Sequence, residues 1–482
     1  MTEKLLDSYS ININDIVINI NVVQDEEASV PSYNSTIANI SETTKLILEK
    51  IREEFISSVN LGKVSLSSSS EMDALREEFT KEVRVLLHKY FPGVDEPTLN
   101  MLMNYIISQD LGLGDMEILL KDDGLEEIVV NNAKEPIWIY HRKHGWCRTN
   151  LFLQSEKQIR HYSTMIGREV NKEITLLNPL MDAHLRTGDR INATLAPISS
   201  FGNTMTIRKF AKDPWTITDF LKNKTISYEA ASMIWLAIQY EVPTLVVGGT
   251  GSGKTSMLNV LSNFFPPNQR IISIEDTREL MLAENLHWVA METRMGNPEG
   301  KGEVTMLNLL VNSLRQRPDR IVVGEIRRKE EAEVMLEATH TGHSVYATFH
   351  ANNAEEAVIR MTNPPINIPK PMLSALTLFL VQNRNRRSGK RRTLQVAEIL
   401  KTGDPNILLQ YDPRADDIKR VSKSQSFYNT LELFAGLSPE EIEKDMQAKT
   451  RVLQWLVKKN IRNVNDIGTV IAKYYRGTLV MD

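Results

Sequence analysis

Residues 244–260, Thr-Leu-Val-Val-Gly-Gly-Thr-Gly-Ser-Gly-Lys-Thr-Ser-Met-Leu-Asn-Val, constrain the surrounding chain more than any other stretch. Gly248, Gly253, Lys254 and Thr255 match G-x-x-x-x-G-K-[ST] without a mismatch. The pattern reads as a buried strand, a glycine loop and the first turns of a helix. Gly248, Gly249, Gly251 and Gly253 can take backbone angles closed to other residues, so successive N–H groups of the loop, Thr250 and Ser252 included, can turn inward around phosphate oxygens. The helix that starts near Lys254, with Thr255 and Ser256 in its first turn, adds its positive end. Lys254 supplies a point charge to the outer phosphates, and the Thr255 hydroxyl is a ligand for Mg2+. The pattern implies a bound nucleotide, held with magnesium.

A chain of 482 residues is too long for one core, so more than one domain is expected. A net charge of −4 does not suggest a general nucleic-acid binder. The single cysteine, Cys147, excludes an internal disulfide framework and a four-cysteine zinc site. The N-terminus lacks a basic region followed by an apolar run, so no signal peptide is read there. No apolar stretch reaches the roughly 18 residues that span a bilayer. The longest, residues 373–381, is read as a buried helix segment, and any membrane role is expected to be peripheral.

Residues 1–70 are rich in Ser, Asn, Asp and Glu. Ile11, Ile13, Ile18, Ile20 and Val22 alternate with polar residues, which suggests one or two strands in a flexible or small N-terminal appendage, with Ser67–Ser70 as a joint. Residues 71–212 mix helices with strands (near 127–130, 136–141, 190–197 and 204–209) without long alternation, so an α+β domain is expected. Residues 213–225 read as a linker into a helix capped by Thr218, and 226–482 as the domain carrying the glycine loop.

In that second domain, residues 270–275 form an apolar strand that ends in Glu275 and Asp276. Ligands of open α/β sheets bind at the carboxyl ends of strands. Solvated turn carboxylates are the competing reading. A second apolar strand, 321–323, is followed by Glu325, with Gly324 where an Asp commonly precedes the Glu. Magnesium would therefore rest on Thr255, with Glu325 as a further ligand or as the base that orients water. Glu325 and Glu275 are the two candidates for that base. His343 and His350 flank a short apolar strand, and a sensor of the terminal phosphate fits them better than zinc, since no cysteine is near. Arginines stabilise transferring phosphoryl groups, often across an interface. Among Arg190, Arg208, Arg278, Arg294, Arg315 and Arg317, the favoured set is Arg190 and Arg208 from the first domain and Arg294 from the second.

These segments together resemble the type II/type IV secretion ATPase superfamily, over roughly residues 100–400. The resemblance is carried by the loop 248–255, Ile274-Glu-Asp-Thr-Arg-Glu-Leu, the Glu325 strand, the histidine box 341–351, Gly188-Asp-Arg-Ile-Asn-Ala and Thr206-Ile-Arg-Lys-Phe. It implies an α/β fold, a RecA-like P-loop domain preceded by an α+β domain that caps the nucleotide. It further implies a homohexameric ring motor whose neighbours contribute arginines. Asn297-Pro-Glu-Gly-Lys-Gly-Glu-Val-Thr-Met-Leu and Leu437-Ser-Pro-Glu-Glu-Ile-Glu-Lys-Asp-Met are similar to the archaeal members, the archaellum motor and pilus assembly ATPases. Their implied partner is a polytopic platform protein in the membrane. The implied location is cytoplasmic, peripheral at the inner face of the cell membrane, and no nucleic acid is expected as a partner. A nucleic-acid translocase or helicase-like RecA-fold ATPase is the alternative. The basic run Asn383–Arg392 is read as a solvated hairpin loop in preference to a lipid or nucleic-acid patch, and Ser438–Lys459 as a helix capped by Ser438 with Glu441.

Overall fold

The computed structural model describes residues 4–58, 69–170, 172–185, 187–210, 213–294, 296 and 301–481. The start of the run at Asn297 and part of the serine-rich joint lie outside the described residues. The chain divides into two compact units, Met1–Lys212 and Asp213–Asp482.

The first unit is built on a nine-stranded sheet. Its strands are β1 (Lys4–Ile13), β2 (Ile16–Gln24), β3 (Ser32–Ile37), β4 (Leu125–Val130), β5 (Trp138–His141), β6 (Gly145–Thr149), β7 (Leu180–His184), β8 (Arg190–Thr194) and β9 (Thr204–Arg208). Their order is β1-β2-β3-β6-β5-β4-β9-β8-β7. Neighbours are antiparallel except β3 and β6, which run parallel with Tyr33 opposite Thr149. The helices Glu42–Ser58, Ser69–Tyr90, Glu96–Leu111, Met116–Lys121 and Glu156–Glu169 complete an α+β unit.

The expectation of a flexible or small appendage over residues 1–70 does not hold for residues 4–37, which supply three strands of this sheet. Asn14 and Asp15, at φ 50° and 68°, turn the chain between β1 and β2 as a two-residue hairpin requires. Ile18, Ile20, Val22 and Tyr33 are then buried in the same core as Leu48, Val83, Ile128 and Ile139. A strand that alternates Ile with Asn has one face to bury, and here it buries that face by joining the domain sheet.

The second unit carries β10 (Thr244–Gly248), β11 (Arg270–Glu275), β12 (His287–Glu292), β13 (Arg320–Val323), β14 (Ser344–Phe349), β15 (Leu378–Arg384), β16 (Arg391–Ile399), β17 (Pro405–Asp412) and β18 (Asp417–Arg420). Their order is β12-β11-β13-β14-β10-β15-β16-β17-β18. The first six in that order run parallel, and the last three continue antiparallel. One strand, β14, separates β10 from the Glu325 strand β13, giving a RecA-like α/β domain. Helices cover both faces: Val246 packs with Trp235, Leu258 and Leu453 on one side, Leu245 and Val247 with Leu336 and Val358 on the other. Burial on both faces is why β10, β11 and β13 are rich in Ile, Val and Leu.

Two expectations fail here. Residues 373–381 are not a helix segment: they divide between a 3-10 turn, Lys370–Ala375, and the central strand β15. A short run apolar at every position carries no period that separates the two. Residues 213–225 are not a plain linker, because the helix Ile217–Lys222 packs into the core through Ile217 and Phe220. Its cap is Thr216, whose N and Oγ1 both donate to Asp219 Oδ2 at 3.1 Å, and not Thr218, whose Oγ1 donates to the Ile461 carbonyl.

Candidate phosphate-binding site

Strand β10 is buried throughout, and its carboxyl end opens into the glycine loop. A Cβ on Gly248 would fall 2.3 Å from Ser252 Oγ and 2.7 Å from the Gln382 carbonyl, so no side chain fits. Gly251 and Gly253 sit at φ 70° and 94°, in the left-handed region. Gly253 is the N-cap of the helix Lys254–Ser262, and Thr255 and Ser256 lie in its first turn. The Gly249 carbonyl accepts from Ser252 N at 3.3 Å, Ser252 Oγ at 2.8 Å and Lys254 Nζ at 3.2 Å. Burial pushes the Lys254 ammonium below its usual pKa, and the Glu325 carboxylate opposes that shift. A cation held in a partly dry loop at a helix N-terminus, beside Gly248 whose Cβ position is filled, fits the phosphates of a nucleotide. Magnesium keeps phosphate oxygens and water as most of its ligands, so Thr255 and Glu325 would be enough from the protein to hold one.

The two candidate acids differ in kind. Glu275, 3% exposed, ends β11 and is locked by the turn after it: Oε1 accepts Glu279 N at 2.9 Å and Leu280 N at 3.1 Å. Burial raises its pKa to about 7 against these amide bonds. Glu325 is partly open, and the backbone beneath it is held by Thr348, whose Oγ1 donates to the Gly324 carbonyl at 2.6 Å while its own carbonyl accepts Ile326 N at 2.9 Å. Its Oε2 accepts Arg327 Nε at 2.8 Å. Arg327 Nη1 donates to Asp276 Oδ2 at 2.6 Å, tying the ends of β11 and β13 together. Sequence reasoning passed over Arg327, although its place just past the acid in Gly-Glu-Ile-Arg was a usable signal.

The sheet separates the two histidines. Because β10 and β14 are parallel with Val247 opposite Phe349, His350 emerges at the loop, and its Nε2 lies 3.3 Å from Thr250 Oγ1. His343 precedes β14 at the other end, with Nδ1 3.1 Å from Thr341 Oγ1. At ~3.3 Å per residue the two are roughly 20 Å apart, so His343 does not join this constellation.

The arginines divide as well. Arg294 donates from Nε to the Gly302 carbonyl at 2.6 Å. Arg278 lies over the Trp288 ring, 5.3 Å from its centroid. Arg190 and Arg208 belong to the first unit, directly opposite each other on β8 and β9. Arg190 forks onto Asp182, Nε at 3.0 Å and Nη2 at 2.6 Å, and Arg208 faces Glu127 on β4.

The basic run is the turn of the β15–β16 hairpin and reaches back to the loop. Arg391 Nε donates to the Gly251 carbonyl at 3.1 Å, while Arg392 forks onto Asp416 at 2.8 and 3.0 Å. Beside the loop a cavity of about 290 Å³ is lined by Ser252, Gly253, Ser256, Trp215, Phe220, Gln382 and Arg391, among others. Nothing local in the sequence marks Trp215 or Phe220 for this position.

The type II/IV secretion system protein family matches residues 112–407. The chain belongs to that family. It is 28% identical to an uncharacterized protein of Methanocaldococcus jannaschii, across 98% of this chain and 89% of that protein. A second uncharacterized protein of the same organism is 32% identical across 77% of this chain and 69% of its own length. Among solved structures, the ATPase DotB of Legionella pneumophila is 19% identical, covers 76% of this chain and 92% of its own, and superposes with a TM-score of 0.44.

Proposed function

We propose that this protein is an ATP-hydrolysing ring motor that powers assembly or secretion of an archaeal type IV filament, archaellum or pilus, through a polytopic membrane platform protein. The observation that carries the reading is convergence. Lys254, His350 and the Glu325–Arg327 pair, from three different segments, meet at one glycine loop. Family membership and the long matches to two Methanocaldococcus jannaschii proteins support the secretion setting and the archaeal branch.

In this reading the loop amides and Lys254 hold the β- and γ-phosphates. Thr255 and Glu325 would hold magnesium, which would supply positive charge against those phosphates. Glu325, partly open and coupled to Lys254, orients the attacking water, whereas buried Glu275 shapes the turn behind it. His350 meets the terminal phosphate, and the nucleoside takes the cavity beside Ser256. Arg190, Arg208 and Arg294 act on a neighbour's nucleotide in a homohexamer, peripheral at the inner face of the membrane. None of the helices among the described residues is long and apolar enough to cross a membrane.

The test is steady-state ATP hydrolysis against protein concentration, for wild type and Lys254→Ala, with mass measured in the same buffer. Specific activity that rises as hexamers form and vanishes in the variant is expected. Constant activity from a monomer would sink the ring mechanism while leaving the loop as a site.

A further inference from the structure

We propose that Arg360 is a positioning residue that sets the tautomer of His350, so that its Nε2–H faces the phosphate loop. This rests on the reading of His350 as the histidine that meets the terminal phosphate. Arg360 lies on the helix Ala354–Thr362, the element after β14. Its Nη1 sits 3.0 Å from His350 Nδ1 and also donates to the His350 carbonyl. A guanidinium has donors and no acceptor. His350 Nδ1 must therefore accept, the ring must be neutral, and its one proton is on Nε2. That nitrogen is the one 3.3 Å from Thr250 Oγ1, so the ring donates toward the loop. Two contacts on one residue, ring and carbonyl, also hold the imidazole plane. Arg360 is itself held: its guanidinium lies 5.7 Å from the Phe349 ring centroid, and Glu356 Oε1 is 3.9 Å from Nη1.

The arrangement gives a phosphate oxygen a hydrogen-bond donor at a defined place. With the proton on Nδ1 instead, Nε2 would present a lone pair to the phosphate and repel it. Glycine loops supply donors from the backbone, but those are fixed to the strand and helix that flank them. A histidine donor carried on β14 reports on the position of a different strand, so its tautomer matters to any step that must register whether the terminal phosphate is present.

The experiment uses the full chain with ring-15N histidine, the His350 resonances being identified by their loss in His350→Gln. Wild type is expected to show the Nε2–H pattern. Arg360→Met is expected to shift His350 toward Nδ1–H and to lower kcat about tenfold, the lower end of what an outer partner of a functional histidine is worth, with KM for ATP unchanged. Arg360→Lys, which keeps a donor, is expected to retain the tautomer and most of kcat, and it serves if the Met variant melts early. An Nε2–H pattern in Arg360→Met overturns the proposal, and so does a shifted tautomer with wild-type kcat. Wild-type turnover in His350→Gln would instead overturn the reading of His350, and the resonances of Arg360→Met would still show whether Arg360 sets the ring.

Discussion

Arg327 places two guanidinium nitrogens on one carboxylate oxygen of Glu325, Nε at 2.8 Å and Nη2 at 2.6 Å. The same side chain reaches Asp276, so the ends of two neighbouring strands answer to one arginine. A water-orienting carboxylate in that grip has a fixed direction. Glu325→Gln is expected to lower kcat by about 10²–10⁴-fold while ATP still binds. Arg327→Ala should lower kcat less, without touching the loop. Turnover assays paired with equilibrium binding of a fluorescent ATP analogue separate the two effects. Wild-type turnover in Glu325→Gln would move the role to Glu275.

Glu275 makes the second unit pH-sensitive. Its folded pKa is raised from 4.5 to about 7, chiefly by burial. The folded state then holds a proton that the unfolded chain has released, so this contribution to stability is present below 4.5 and is lost as pH rises through about 7. At 1.36 kcal/mol per unit the loss is about 3 kcal/mol. Glu275→Gln keeps an oxygen for the amides of Glu279 and Leu280 and should remove that slope. Melting temperatures of both proteins at about pH 5 and about pH 8 measure it, and parallel slopes would show that Glu275 is not its source.

Glu398 is the most heavily satisfied carboxylate described. It is fully buried on β16 and accepts five hydrogen bonds, from Asn406 Nδ2, Gln425 N, Ser424 Oγ, Ser426 N and Phe427 N, at 2.7–3.0 Å. Three of the donors are backbone amides at the start of the helix Phe427–Ala435. Glu398→Ala would strand them, at a cost of about 3 kcal/mol or more. Chemical denaturation followed by tryptophan fluorescence should show the loss, with Glu398→Gln intermediate because its amide faces donors with a donor.

In the first unit, Asp122 ties the N-terminal strands to the rest. Tyr9 on β1 and Tyr33 on β3 both donate to its Oδ2, at 2.6 and 2.8 Å, and it is 1% exposed. Asp122→Ala is expected to cost about 3 kcal/mol and to open residues 4–37 to protease. A digestion pattern and a melting temperature like those of wild type would mean that the sheet holds these strands without the clasp.

Some of this was legible because it is local. A glycine loop is spelled by consecutive residues, since the backbone angles it needs are set one residue at a time. The helix Pro439–Lys458 was legible for the same reason: Ser438 and Glu441 cap each other three residues apart, and Ile442, Met446, Leu453 and Leu456 recur at helical spacing. Strands 270–275 and 320–323 stood out because both faces are covered and their centres are mostly Ile and Val.

What the sequence alone determined, then, was the presence of a phosphate loop, the acids at strand ends and the order of the boxes around them. The tertiary structure decided which of these residues meet. His343 and His350 look equivalent in a histidine-rich stretch, and only the parallel register of β14 on β10 puts one at the loop and the other at the far edge. Arg327, Arg360 and Arg391 are ordinary arginines until a strand end, a helix and a hairpin turn carry them to Glu325, His350 and Gly251. The N-terminal strands were ambiguous until β3 found β6, more than a hundred positions away in the chain. The reason is physical: capping, turning and amphipathic period depend on neighbours a few residues apart, whereas register, charge pairing and burial depend on neighbours that only the fold supplies.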